Sequence, residues 1–258
     1  FHILKEFCIE SGMVINEAKT KFMAVNGTAD DRLPLVVGEN DVLKVLHCEQ
    51  YVYLGSIFTC DGSTLTAVNE HAKSVTKHLW KLVSFFSKNP DFPFSVKKKV
   101  LDAAFLTAIL YGCESWLNVG LKKMENIYMS ALKALLGVRS TTANDLCLVE
   151  LGYPPLKDFV KYKQAQFFQK MISERTEIED DPLMFAIKLT QGSSTATGTY
   201  LNSLLGINDA LGQGLATVRQ RVKESQRSKF LSYNQINPDL QVHDVYNKDL
   251  KDFVPEYM

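Results

Sequence analysis

Few residues among these 258 have the character and spacing to do chemistry. Two pairs of adjacent carboxylates, Asp30-Asp31 and Asp180-Asp181, are of the kind that can hold divalent ions for phosphoryl transfer. His71 and His78, seven residues apart, fall on one helix face, and a metal there needs a third ligand that the neighbouring sequence does not supply. The turn Asn16-x-x-Lys19-Thr20 presents a lysine, a cation able to stabilise developing negative charge or to donate a proton. Lys73, Lys77 and Lys81 recur at four-residue steps and so stack on one helical face. Such a row costs about 0.2–0.5 kcal/mol per pair in repulsion and is tolerable if it tracks phosphates, each contact releasing a counterion.

Most of these features have a plainer reading. Asp30-Asp31 lies between Gly27 and Pro34 with no aromatic before it and reads as a turn. Asp180-Asp181 belongs to an acidic stretch, 174–181, that reads as a solvated linker, and His71 and His78 read as members of a polar helix face. Lys19 and Lys21 read, from the residues alone, as a solvated turn lysine and a strand-end lysine. No Gly-x-x-x-x-Gly-Lys loop, His-Glu-x-x-His or Gly-x-Ser-x-Gly is present, and Gly212-Gln213-Gly214 lacks a third glycine and follows no predicted strand. The five cysteines, Cys8, Cys48, Cys60, Cys113 and Cys147, are odd in number and never paired as Cys-x-x-Cys, so neither a disulfide framework nor a zinc site is signalled. A reducing, intracellular compartment is the expectation, with no membrane partner. The Asn26-Gly27-Thr28 sequon then reads as a chance match.

The elements that would position these residues follow from hydrophobic period. Ile3, Leu4, Phe7 and Cys8 share a helical face that ends at Gly12, and strands are predicted at 13–15, 21–25, 35–37, 42–46 and 51–59. From residue 66 the period lengthens to 3.6. Helices are predicted over 66–88, from about 96 to Trp116, from Leu121 to Leu135 with Gly137 closing it, and after Pro154-Pro155 to about 173. Pro182 suits a first helical turn, 191–199 reads as a flexible loop, and 215–230 as a weakly amphipathic basic helix. The expected fold is α+β and mainly α: a small antiparallel strand layer with one helix over 1–65, a helical bundle over 66–173, and an acidic linker with an ill-defined tail over 174–258. The aromatics Trp80, Phe85, Phe86, Phe105, Trp116, Phe159, Phe167 and Phe168 stand at core spacing and are read as packing groups rather than base-stacking platforms.

Lys+Arg and Asp+Glu both number 29, which excludes a protein that is basic all over. The balance is regional. Residues 1–60 sum to −3, 71–140 to +7, 174–181 to −4 and the stretch from 231 to −3.

The order Gly12, Asn16, Lys19, Thr20, then Tyr53-Leu54-Gly55, then Leu110-Tyr111-Gly112-Cys113-Glu114-Ser115-Trp116, Leu136-Gly137-Val138-Arg139 and Glu150-Leu151-Gly152 resembles the end of the palm and the thumb of a reverse transcriptase of the non-LTR (LINE-like) retrotransposon type. The resemblance covers about 1–173. It implies that Gly12, Asn16, Lys19 and Thr20 match the motif after the catalytic carboxylates, with Lys19 near the leaving pyrophosphate, and that Tyr53, Leu54 and Gly55 match the hairpin that grips the primer. It further implies a template-primer of RNA and DNA as partner, a polymerase region preceding Phe1 that carries the carboxylates and their Mg2+, and a nuclear location if the element is active. No metal site is expected in this chain, which alone is expected to be inactive. Lys73, Lys77 and Lys81 then read as thumb contacts to the template-primer backbone. The alternative is a non-catalytic helical module, binding nucleic acid or protein, derived from a decayed or repurposed retroelement.

Overall fold

A computed structural model describes residues 2–16, 18–37, 43–117, 119–175 and 181–206, and the fold is α+β and mainly α. The chain divides into two compact units, 1–71 and 72–258.

The first unit opens with α1 (His2–Glu10). Its end is closed by main-chain bonds from Gly12 N–H to the Ile9 carbonyl (3.2 Å) and from Met13 N–H to the Cys8 carbonyl (2.7 Å). This double closure requires a left-handed residue at the turn, and Gly12 supplies it at φ +64°. The strand predicted at 13–15 is absent, since Met13 is consumed by that cap and Val14 stands out in solvent. A three-stranded sheet follows, in the order β1 (Lys21–Phe22), β3 (Leu43–His47), β2 (Leu35–Val37). β2 and β3 pair antiparallel, but β1 and β3 pair parallel, so the layer is mixed. The single strand expected over 51–59 is instead a hairpin of β4 (Gln50–Tyr53) and β5 (Ser56–Thr59).

This unit buries little. Among its described residues the buried apolar side chains are Val45 and Val68, whereas Ile3, Ile9, Val14, Val36 and Leu54 are among many left exposed. Such a unit has little core of its own to offset its chain entropy.

A 25-residue helix, α2 (Thr64–Lys88), runs out of the first unit into the second. Ser63 caps its start by accepting the Thr66 N–H, and the Asn89 amide donates to the Phe85 carbonyl just before Pro90 stops it. Next comes α3 (Phe94–Val100), a wider π-helical stretch Leu101–Leu106, and α4 (Thr107–Ile109). The helix predicted through Trp116 therefore ends at Ile109, and residues 113–116 form a tight turn instead. Then follow α5 (Lys122–Leu136), α6 (Asn144–Leu151), α7 (Leu156–Arg175), α8 (Pro182–Gln191) and α9 (Ala196–Leu205).

The core of this unit is organised around α7. Leu156, Phe159, Val160, Ala165 and Phe168 are all buried, and Tyr162, Ala165 and Phe168 pack with Ile187 of α8 and with Leu201 and Leu204 of α9. The fully buried Gln164 donates from Nε2 to the carbonyls of Cys113 and Trp116, both at 2.8 Å, and its Oε1 accepts the Tyr200 hydroxyl at 2.8 Å. One amide thus ties the 113–116 turn and α9 to α7.

The loop predicted over 191–199 contains the start of α9, because Thr195 accepts the Gly198 N–H and caps a new helix. Gly198 is there because a Cβ would collide with the Thr190 carbonyl and with Ser193. Asp181, read as linker, is buried. It caps α8 by accepting from Leu183 N–H and Met184 N–H and pairs with Arg175 at 2.7 Å. Pro182 takes the first helical position, as its fixed φ favours. Asp180, Gly212-Gln213-Gly214 and the predicted helix 215–230 lie outside the described residues.

Two stability measurements follow. Gln164→Leu takes the buried amide away from the Cys113 and Trp116 carbonyls and from the Tyr200 hydroxyl, and lowers unfolding free energy by about 3 kcal/mol in denaturant titrations. A loss below about 0.5 kcal/mol would show that the amide ties nothing together. The Arg175 hydrogen bond, ahead of the opposing effect of burial, holds the Asp181 carboxyl below its ordinary value of 3.8. A lowered folded value gives stability that is present above the unfolded value and lost as pH falls through the folded one. The stability gap between wild type and Asp181→Asn therefore narrows as pH drops through and below that range, and a gap indifferent to pH contradicts the role given to the carboxylate.

Candidate nucleic-acid interface

Beyond the α1 cap, Asn16 organises the turn that carries Lys19. Its Oδ1 accepts the Lys19 N–H at 3.0 Å, and its carbonyl accepts the Thr20 N–H at 2.9 Å and the Thr20 hydroxyl at 2.8 Å. Gly12, Asn16 and Thr20 are therefore accounted for by backbone geometry, and what the turn presents to solvent is the Lys19 side chain.

Tyr53 and Leu54-Gly55 form the tip of the β4–β5 hairpin. Both loop residues have positive φ, 49° at Leu54 and 80° at Gly55, the pattern of a type I′ turn. Glycine adopts it freely; leucine does not, at a cost of about 1–2 kcal/mol. Leu54 is 74% exposed and Tyr53 57% exposed. Register places Tyr51, Phe58 and Tyr53 on one face of this hairpin, and all three are exposed. The structure gives the tip a strained, outward-facing form that the single strand predicted over 51–59 does not contain.

Lys73, Lys77 and Lys81 stand exposed on α2. Ala72, Val75, Leu79, Leu82 and Phe86, the buried residues of this helix in the second unit, occupy its opposite side. Other lysines of the basic stretch are turned to structural use. Lys97 Nζ donates to the Pro90 carbonyl (2.8 Å), Lys133 Nζ to the Ser140 carbonyl (2.7 Å), and Lys98 Nζ to the Leu151 carbonyl (3.5 Å) while lying 5.3 Å from the Tyr153 ring centre. The α2 row is the part of the local excess that stands in line along one exposed helix face.

The remaining candidates do not form sites. Asp30 and Asp31 begin a short 3₁₀ turn, Asp30–Arg32, in which Asp31 accepts both the hydroxyl and the N–H of Thr28 at 2.8 Å. Those bonds, the hydroxyl first, lower its carboxyl from the ordinary range. His78 Nδ1 meets the Ser74 carbonyl at 3.2 Å within its own helix. Among the described residues no group of three or more His, Cys, Asp or Glu side chains could hold a metal ion. Burial, followed by the nearby Glu114 charge, pushes the Cys113 thiol up to about 12, so it is no thiolate nucleophile at neutral pH.

A cleft of about 440 Å³ opens beside the π-helical stretch. Its charged groups are Asp102, Glu114 and Lys163 around Phe159 and Tyr111, and the Asp102 carboxylate accepts the Tyr153 hydroxyl. Two acids against one base make it a poor cradle for phosphate. Among the described residues no helix is long and apolar enough to cross a membrane.

No protein-family model, curated protein or solved structure matches this chain.

The backbone strain at the hairpin tip has a measurable consequence. Leu54→Asn, a residue suited to the first position of this turn, raises the stability of the first unit by about 1 kcal/mol, read from amide hydrogen exchange across β4 and β5. Faster exchange in the variant would mean that the leucine side chain holds the tip by contacts worth more than the strain.

Proposed function

We propose that this chain is the template-primer-gripping part of a retroelement RNA-directed DNA polymerase, acting through its lysine row and inactive in polymerisation by itself. The observation that carries the reading is the exposure of Lys73, Lys77 and Lys81 along one side of α2, opposite its buried side. Phosphates meet such a row without sequence preference, as a thumb requires. The ordered motifs add the rest: the Asn16 turn holds Lys19 outward, and the hairpin puts Tyr53, Leu54 and Gly55 at an exposed tip. The catalytic ions belong, in this reading, to a polymerase region encoded upstream. An aromatic-x-Asp-Asp motif in the reading frame before Phe1 supports it, and a frame without one removes the enzyme parentage.

A second reading, a protein-interaction module from a repurposed element, is favoured by one observation. The first unit leaves Ile3, Phe7, Ile9, Val14, Val36 and Leu54 exposed around a very small core, a surface of the kind that protein partners cover.

Titrating an RNA–DNA duplex at several salt concentrations separates the two. The template-primer reading expects a steep salt dependence whose log–log slope falls in magnitude by about 3 when Lys73, Lys77 and Lys81 are all changed to Ala. Absence of binding at low salt sinks it and leaves the interaction module. Metal-dependent primer extension by this chain alone would refute its inactivity.

A further inference from the structure

Trp80 stands at core spacing in the sequence, yet the structure leaves it 65% exposed. It lies inside the lysine row, three residues after Lys77, one before Lys81 and seven after Lys73, and so on the side of α2 away from Val75, Leu79, Leu82 and Phe86. Four residues on, the exposed Ser84 leaves the next turn without a bulky neighbour, and Lys88 continues the row one turn beyond that. The other aromatics near this end of the helix are paired: Phe85 meets Phe86 at 5.9 Å and Phe92 at 5.8 Å between ring centres. An indole held in water among four lysines is the combination that a basic groove for unpaired strands uses, cations for the backbone and a flat face for a base.

The chemistry of the row narrows the occupant. A duplex offers phosphates but keeps its bases stacked and paired, leaving the indole idle. An acidic peptide offers charge without flat faces. Unpaired nucleic acid offers both, and RNA presents unpaired bases at loops, bulges and ends, where proteins commonly receive them on aromatic side chains.

We propose that Trp80 is a stacking platform for a base of single-stranded RNA, with Lys73, Lys77, Lys81 and Lys88 holding the flanking phosphates. The inference rests on the nucleic-acid reading above and deepens it: the lysine row that meets the phosphates of a template-primer also takes an unpaired RNA stretch, whose base the ring receives.

The protein contains two tryptophans, and Trp116 is buried, so nucleic-acid-induced change in tryptophan emission reports on Trp80. The test uses the full chain with a short labelled RNA that cannot pair with itself, the same sequence as DNA, an RNA–DNA duplex of equal length, and polyglutamate. The RNA is expected to quench the emission. Trp80→Ala is expected to weaken RNA binding about ten- to a hundredfold while changing duplex binding by less than about twofold, with Trp80→Phe in between. If Trp80→Ala binds RNA like wild type while the triple lysine variant does not, stacking is overturned and the nucleic-acid reading stands. If neither RNA nor duplex binds at low salt, both fall. Tighter binding of the DNA strand overturns the choice of RNA, and emission that responds to polyglutamate but not to RNA assigns the face to an acidic protein. Because Trp80 is exposed, its replacement should leave the unfolding transition in place, and the same samples show this.

Discussion

The second unit depends on burying one amide with every strong hydrogen-bonding position used. Gln164 sits on α7 among buried apolar side chains, where an unpaired polar atom is costly. Both its donors and its acceptor are engaged, so the 113–116 turn, α7 and α9 can take up only one mutual arrangement that satisfies them all. Apolar contacts alone tolerate small slides between helices. A three-point amide does not, and it explains why the chain leaves the helix at Ile109 and turns there: the carbonyls of Cys113 and Trp116 must point at Gln164. A second polar fastening, Tyr128 hydroxyl to the Pro154 carbonyl at 2.9 Å, fixes the approach to α7 from the other side.

A rigid bundle of this kind changes how its surface charges are to be read. Counting lysines along the sequence gives one basic region; the packed helices sort them. Lys97, Lys98 and Lys133 reach main-chain carbonyls near helix ends, where a cation is favoured. Lys73, Lys77 and Lys81 instead stand along the middle of a long helix, away from its ends. The same geometry holds Trp80 outward, since a residue one position before Lys81 and three after Lys77 has no route to the buried side.

How much of this was legible depended on whether the signal was periodic. α2 and α5 show clean 3.6-residue repeats and a stop signal, at Asn89-Pro90 and Gly137, and the observed ends fall within about two residues of those expected. α6 left no such trace: eight residues, apolar on several sides and without a side-chain cap, carry no period to read. The start of α9 was hidden by composition, because Ser193-Ser194-Thr195 look like a loop until Thr195 is seen to accept the Gly198 N–H. Asp181 was obscured by its acidic neighbours, and only the packed structure reveals that one carboxylate of the run is buried on Arg175 and a helix start. In the first unit the alternation from 51 to 59 is real, but the residue pattern alone reads it as one strand, since the favoured pair for the turn at Leu54-Gly55 begins with Asn or Asp; a hairpin there is implied only by the resemblance. Lys73, Lys77 and Lys81 fall on one exposed helix face, as their spacing predicts, whereas Trp80 joins that face and not the core, because helical spacing counts an aromatic without saying which side it joins.

The exposed leucine and the exposed tryptophan belong to one argument. Marginal stability makes it unfavourable to hold a non-glycine residue at positive φ, or to leave a large ring in water, with no return elsewhere. At Leu54 the strain is local and the side chain points outward, so removing it stabilises the hairpin and reveals by binding whether the tip had a use. At Trp80 the cost is hydration of an indole beside lysines that repel one another, and both terms reverse sign only when an anion with a flat face arrives. The lysine row alone suits any polyanion. In the proposed reading, the ring within it is what distinguishes an unpaired strand from a duplex.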